Sequence, residues 1–185
     1  MLNIPNNLLP TPPIGLNKQG LNQKLFNLLN NHNLSVEEIA NQIKDLIVHG
    51  ADVNTQDKYG STALHFATVN GVKKLVEFLI AHGADVNISK NSGENPLLSA
   101  IDPKHRDIAK VLIEKGANPN TKNIFDYTPL QWAVIYKDEE LVRLLIAKGA
   151  DVNAKDIGKR SCLMYAEQSG QKEITELLKK HGAKE

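Results

Sequence analysis

A single cysteine, Cys162, leaves no possibility of an internal disulfide, so the chain is compatible with a reducing compartment. Neither sign of charge is in surplus: 22 Lys and Arg face 21 Asp and Glu, for a net charge of +1. A nucleic acid or an acidic membrane draws on an excess of basic residues. Here acids accompany the bases along the same segments, and neither partner is expected. Long apolar runs are also missing, none approaching the roughly 20 residues of a membrane span. The opening stretch MLNIPNNLLPTPPIGLNKQG has no basic residue before Lys18, and Pro5, Pro10, Pro12 and Pro13 interrupt it, which makes it a poor secretory signal. A cytoplasmic working site is expected, with delivery into a host cytosol by a route that needs no such signal left open. Aromatic residues make up only 5% of the chain, few enough for each position to be read separately. The 185 residues are otherwise ordinary, with enough hydrophobic content for one soluble domain with a core.

What the sequence does have is self-similarity. Gly83, Gly116, Gly149 and Gly182 each precede an alanine, and the differences 116 − 83, 149 − 116 and 182 − 149 are all 33. Gly50 extends the series backwards by the same step. Three further columns keep the register: Leu64, Leu97, Leu130 and Leu163; Ala67, Ala100, Ala133 and Ala166; Leu79, Leu112, Leu145 and Leu178. Thr62, Asn95, Thr128 and Ser161 are good helix N-caps, and Pro96 and Pro129 follow at the first helical position, where a missing N–H costs nothing. A short helix carrying the Leu and Ala columns is expected to start there. A second helix is seen best in VKKLVEFLIAHG and EELVRLLIAKG, with Leu75, Val76, Leu79 and Ile80 at helical spacing. It is expected to end at the glycine column in a left-handed conformation, with His49, His82, Lys115, Lys148 and His181 placing a basic group near its negative end. The stretches ADVNTQDKYGS, ADVNISKNSGE, ANPNTKNIFDY and ADVNAKDIGKR read as extended, hairpin-like loops.

At this point the chain resembles the ankyrin family. Its signature Thr-Pro-Leu-His-x-Ala is matched by Thr62-Ala63-Leu64-His65-Phe66-Ala67 and by Thr128-Pro129-Leu130-Gln131-Trp132-Ala133. The resemblance is strong over roughly residues 50 to 185 and weak over 21 to 49. It implies an all-α solenoid of stacked helix-turn-helix units joined by hairpin loops. Residues 1–20 form an N-terminal extension, either disordered or lying against the first helix pair. The repeat domain spans 21–185: a divergent N-terminal repeat at 21–56, full repeats at 57–89, 90–122 and 123–155, and a C-terminal capping repeat at 156–185. Ser35 with Glu38 makes a capping-box pattern in the divergent repeat. Thr175 and Glu167 put polar groups where earlier repeats are apolar, as a terminal repeat should. Two departures carry expectations. Asp102-Pro103 should end the first helix of the second full repeat early. Asp126 and Lys159 occupy the hairpin column of Gly60 and Gly93, so the third and fourth hairpins are expected to differ in shape from the first two.

Chemistry finds few footholds. Cys162 stands at a helix start, where a thiol pKa can fall, but its column is that of Ala63, Pro96 and Pro129, which points to a packed cysteine. Patterns for phosphate loops, zinc sites and nucleophile elbows are absent. Stacked helices roughly 8–10 Å apart keep His49, His82 and His181 from sharing a metal. His65 is expected to hydrogen-bond nearby loop backbone, and no cofactor is implied. The aromatics say more. Tyr59, Phe125 and Tyr127 fall in hairpins, Phe66, Trp132 and Tyr165 share one column of the first helix, and Tyr136 lies near that helix's end. The resemblance implies that hairpin tips and the first-helix surface contact targets, and Tyr and Trp are favoured at interface hot spots. The expected partner-binding residues are therefore Tyr59, Phe66, Ile124, Phe125, Tyr127, Trp132, Ile135, Tyr136 and Tyr165. For Phe66, Trp132 and Tyr165, packing between repeats is an equal reading. Asn54, Asn87, Asn120 and Asn153 share a hairpin column. The resemblance implies that such asparagines can be hydroxylated by an oxygen-dependent asparaginyl hydroxylase, beside a structural role in holding the hairpin. The chain reads as a non-enzymatic scaffold, monomeric when free, that binds a protein partner as adaptor, inhibitor or effector. One alternative is a pathogen or symbiont effector acting on a host protein, and the heavy use of Asn, Lys and Ile would fit an AT-rich genome for such a source. An enzyme using Cys162 is the third reading.

Overall fold

The computed structural model describes residues 17–31 and 33–184. Most of the expected extension, residues 1–16, lies outside them, while Asn17 caps the first helix by accepting the Gly20 N–H at 3.0 Å. Among the described residues ten α-helices follow in five pairs: α1 Lys18–Leu29 and α2 Val36–Val48; α3 Ala63–Val69 and α4 Lys73–Ala81; α5 Pro96–Ala100 and α6 Arg106–Glu114; α7 Pro129–Ile135 and α8 Glu139–Ala147; α9 Cys162–Gln168 and α10 Lys172–Lys180. The odd-numbered helices form an inner layer and the even-numbered ones an outer layer, α2 against α4, α6, α8 and α10 in turn. The repeat columns make the core: Leu64, Leu97, Leu130 and Leu163 with Ala67, Ala100, Ala133 and Ala166 inside, and Leu79, Leu112, Leu145 and Leu178 outside, all buried. Each buried leucine contributes about 1.5–3 kcal/mol. The small alanines let the inner helices approach.

Caps set the ends of each helix. Thr62, Asn95, Thr128 and Ser161 each accept an N–H from the first turn that follows. At the other end Ala84 N–H donates to Leu79 O at 3.0 Å and Gly83 N–H to Ile80 O at 3.1 Å, the paired bonds of a left-handed glycine stop. The basic column works partly by direct hydrogen bonding: Nδ1 of His82 and of His181 meets the carbonyl of Phe78 at 2.8 Å and of Leu177 at 2.9 Å. As the sequence leads one to expect, α5 stops after one turn and a bit. Pro103 cannot continue it, and Asp102 instead caps a 3-10 turn over Pro103–His105 by accepting the Lys104 N–H at 2.8 Å.

The expectation that the third and fourth hairpins differ is not met. Asp126 and Lys159 adopt φ of 61° and 62°, as Gly60 and Gly93 adopt 78° and 80°. All four hairpins then close with the same bond, from Gly60 N–H to Asp57 O, Gly93 to Lys90, Asp126 to Asn123 and Lys159 to Asp156. The loop's hydrogen bonds outweigh the modest cost of a left-handed side chain. Gly60 has a second reason to be glycine: a Cβ there would meet Asn91 N at 2.9 Å.

The asparagine column also does something the sequence reading did not assign to it. It joins successive repeats instead of holding its own hairpin. Asn54 Nδ2 donates to Gly83 O at 3.2 Å while its Oδ1 accepts the Asp85 N–H at 2.9 Å. Asn87 does the same with Gly116 and Asn118, Asn120 with Gly149 and Asp151, and Asn153 with Gly182 and Lys184. Each amide ties one repeat to the glycine stop of the next. At the C-terminal end Glu167 is exposed and pairs with Lys179 at 2.7 Å, a polar finish to the stack.

Candidate partner-binding face

The inner helices and hairpins of the third full repeat and the C-terminal capping repeat carry a continuous aromatic run. Trp132 and Tyr136, four residues apart on α7 and its cap, stack with ring centroids 5.8 Å apart. Tyr127 meets the other side of the group, 5.0 Å from Trp132 and 6.1 Å from Tyr165 on α9. Beneath the rings runs a directed hydrogen-bond chain: Arg160 Nη2 donates to Tyr127 Oη at 3.0 Å, the Tyr127 and Tyr165 hydroxyls meet at 2.8 Å, and Tyr165 donates to Asp156 Oδ2. Burial alone would raise the Asp156 carboxyl, but the bonds from Tyr165 and the Arg160 backbone and the charge of Arg160 hold it below the usual carboxylate range. Burial, then the bond to Asp156, pushes the Tyr165 hydroxyl up.

These contacts divide the expected binding residues in two. Tyr127, Trp132, Tyr165, Ile135 and, on α3, Phe66 are half-buried. Phe66, Trp132 and Tyr165 rest against the core, and Tyr127 is fixed by its hydroxyl. Ile124, Phe125 and Tyr136 instead stand exposed, at 67%, 54% and 42% of their full accessible surface, and Tyr59 is exposed on the first hairpin. Sequence reasoning missed Ile157, which is 72% exposed beside Phe125, its N–H bonded to Phe125 O at 3.1 Å. Its signal was available, since it lies 33 residues after Ile124 in the same column.

A groove of about 360 Å³ opens between the second and third full repeats, lined on one side by Leu98, Ser99 and Asp102 and on the other by Ile124, Trp132 and Tyr136. Three features make it. The aromatic column of Phe66, Trp132 and Tyr165 is broken at Ser99. Helix α5 is too short to cover α7. The hairpin tips are joined by Asn91 N–H to Tyr59 O at 2.9 Å and by the Ile157 bond to Phe125, whereas among the described residues no backbone bond joins the second tip to the third. Ser99 and Asp102 were not among the residues expected to form the site. The gap in the aromatic column was their signal.

The other candidates are structural in their surroundings. Cys162 is fully buried, and burial pushes its thiol up to about 12, the reverse of an activated nucleophile at a helix start. His65 Nδ1 accepts the Thr62 N–H at 3.1 Å and Nε2 faces Glu94 O at 3.3 Å, so the ring links its cap to the next hairpin. Burial and then the charge of Lys90 lower it to about 4, so it stays neutral. Gln131 repeats both bonds, to Thr128 N–H at 2.9 Å and Arg160 O at 3.0 Å, which explains how glutamine serves in a histidine column. Among the described residues no group of His, Cys, Asp and Glu could hold a metal ion, and no helix is long and apolar enough to cross a membrane.

A family model described as ankyrin repeats (3 copies) matches residues 32–123 and 122–185. No curated protein matches the chain.

Proposed function

The chain belongs to the ankyrin-repeat family, whose repeats are protein-interaction modules, and from that premise we propose that it is a non-enzymatic scaffold whose protein partner docks across the second and third full repeats and the capping repeat. The observation that carries this reading is the run of exposed apolar side chains Ile124, Phe125, Tyr136 and Ile157, of which Ile124 and Tyr136 line the groove while Phe125 follows Ile124 and Ile157 is bonded to Phe125, on a face where no repeat packing calls for them. Exposed apolar patches of this kind mark interaction sites. The outer layer offers a contrast: Arg106 pairs with Asp138 and Glu140, Lys110 with Glu140 and Arg143 with Glu139, a solvated surface of mixed sign.

Rigidity supplies the mechanism. The asparagine ties and the buried leucine columns hold the inner face in one arrangement, so little ordering entropy is lost when a partner binds. Within this face Tyr127, Trp132 and Tyr165 serve as the platform and Ile124, Phe125, Tyr136 and Ile157 as the contacts. Tyr59 and Phe66 extend the surface towards the first full repeat. A photo-crosslinking amino acid placed at Phe125 should trap a discrete protein adduct from cell lysate, while the same group at Lys74 on the outer layer should not. Equal labelling from both positions, or from neither, would count against the assignment.

A further inference from the structure

The groove between the second and third full repeats is not uniformly apolar. Leu98, Ile124, Trp132 and Tyr136 wall it, but Glu94 and Asp102 also line it, and no Lys, Arg or His is among its lining residues. The two carboxylates differ. Glu94 already pairs with Lys90 at 2.9 Å. Asp102 spends Oδ1 on the Lys104 N–H, and among the described residues it makes no ion pair.

Each class of incoming side chain meets this lining differently. An acidic group would face like charge. A neutral apolar group would desolvate Asp102 without compensation. A basic group would pair with Asp102, lay its aliphatic stem along Leu98 and Ile124, and bring its cation against the exposed Tyr136 ring. Arginine fits best, because its flat guanidinium both stacks on aromatic faces and forks onto a carboxylate. We infer that the groove receives an arginine side chain presented by an extended segment of the partner protein. This inference rests on the reading of the face given above and narrows it to a chemical class.

Trp132 is the sole tryptophan and lines the groove, so its fluorescence reports occupancy. The probes are the peptide acetyl-Ala-Leu-Arg-Leu-Ala-amide and its citrulline counterpart, which keeps the shape of arginine without the charge. The arginine peptide should change Trp132 emission saturably and bind about tenfold more tightly than the citrulline peptide. Asp102→Asn should abolish that difference without disturbing the 3-10 turn, since Asn caps as well as Asp. Ser99→Phe, which fills the gap in the aromatic column, should block the arginine peptide altogether. Equal affinity for the two peptides, or a preference that survives Asp102→Asn, would overturn the inference. Were both peptides bound equally and both blocked by Ser99→Phe, the groove would stand as a binding surface and only its charge class would be refuted. A failure of both peptides to bind would refute the inference, leaving the crosslink at Phe125 to decide the wider reading.

Discussion

Replacing Tyr165 by Phe removes one oxygen and leaves the ring in place, which isolates the polar chain beneath the aromatic platform. The Asp156 side chain is fully buried. Besides Tyr165 it accepts the Arg160 backbone N–H at 3.0 Å and faces Arg160 Nε at 3.3 Å. Without the hydroxyl, Oδ2 keeps only the longer contact, and the Tyr127 hydroxyl loses its acceptor while still accepting from Arg160 Nη2 at 3.0 Å. A hydrogen bond to a charged group contributes about 1.5–3 kcal/mol. In a domain of this size, that is a fall in Tm of about 2–4 °C per kcal/mol. The effect must also depend on pH. Asp156 is held below its ordinary value in the folded chain, so its stabilising contribution is complete above the unfolded carboxyl pKa of about 4 and is lost as pH falls through the folded value. Tyr165→Phe weakens that hold, so the stability gap between the two proteins should be widest near neutral pH and narrow towards pH 2. Urea unfolding followed by circular dichroism at a series of pH values measures it. A variant as stable as the parent at pH 7, or a gap that is flat with pH, would refute the assignment of Asp156 as the anchor of the platform.

Gly149, at φ of 88°, should tolerate Val poorly, by about 1–2 kcal/mol or more from left-handed strain, since no neighbouring atom lies within 4 Å to add a clash. Lys74→Val at an exposed position of α4 should cost only about 0.5–1 kcal/mol, and equal melting shifts would argue against the glycine stop. Cys162 should react with a thiol reagent only as fast as the chain unfolds, and rapid labelling of the native protein would revive it as a nucleophile. Deleting residues 156–185 bares the buried Val134 and Val142, each worth about 1.5–3 kcal/mol, so the truncated chain should melt lower or aggregate, and undiminished stability would show that the last repeat does not cap.

Most of the fold was legible because a period fixes register. Once four columns share one spacing, the helices, their caps and the early stop at Asp102-Pro103 follow from local rules. What escaped the sequence was interaction between repeats. The handedness of Asp126 and Lys159 is set by hairpin hydrogen bonds, which propensity alone undervalues. The span from Asn54 to Gly83 and Asp85 becomes visible only when two repeats are stacked. Tyr127 looked like a surface aromatic because its partners, Arg160 and Tyr165, come from the next repeat. The exposed residues Ile124, Phe125 and Tyr136 were legible, since no core column needs an apolar group there. The groove beside them was not, because it arises from what Ser99 and the short α5 leave out.

The central claim is that recognition uses the exposed row of the third full repeat and not the outer layer. Its most direct test is the affinity of the captured partner for an Ile124→Ser, Phe125→Ser, Tyr136→Ser triple variant, measured by titration calorimetry beside the melting temperature. Hot-spot side chains contribute about 2 kcal/mol or more each, so Kd should rise more than about a hundredfold. The melting temperature should fall by only a few degrees, because Ile124 and Phe125 stand mostly exposed and Tyr136 gives up mainly its stack on Trp132. A Lys73→Glu, Lys74→Glu variant on the outer layer should bind like the parent. Unchanged affinity in the triple variant, or its unfolding, would contradict the account.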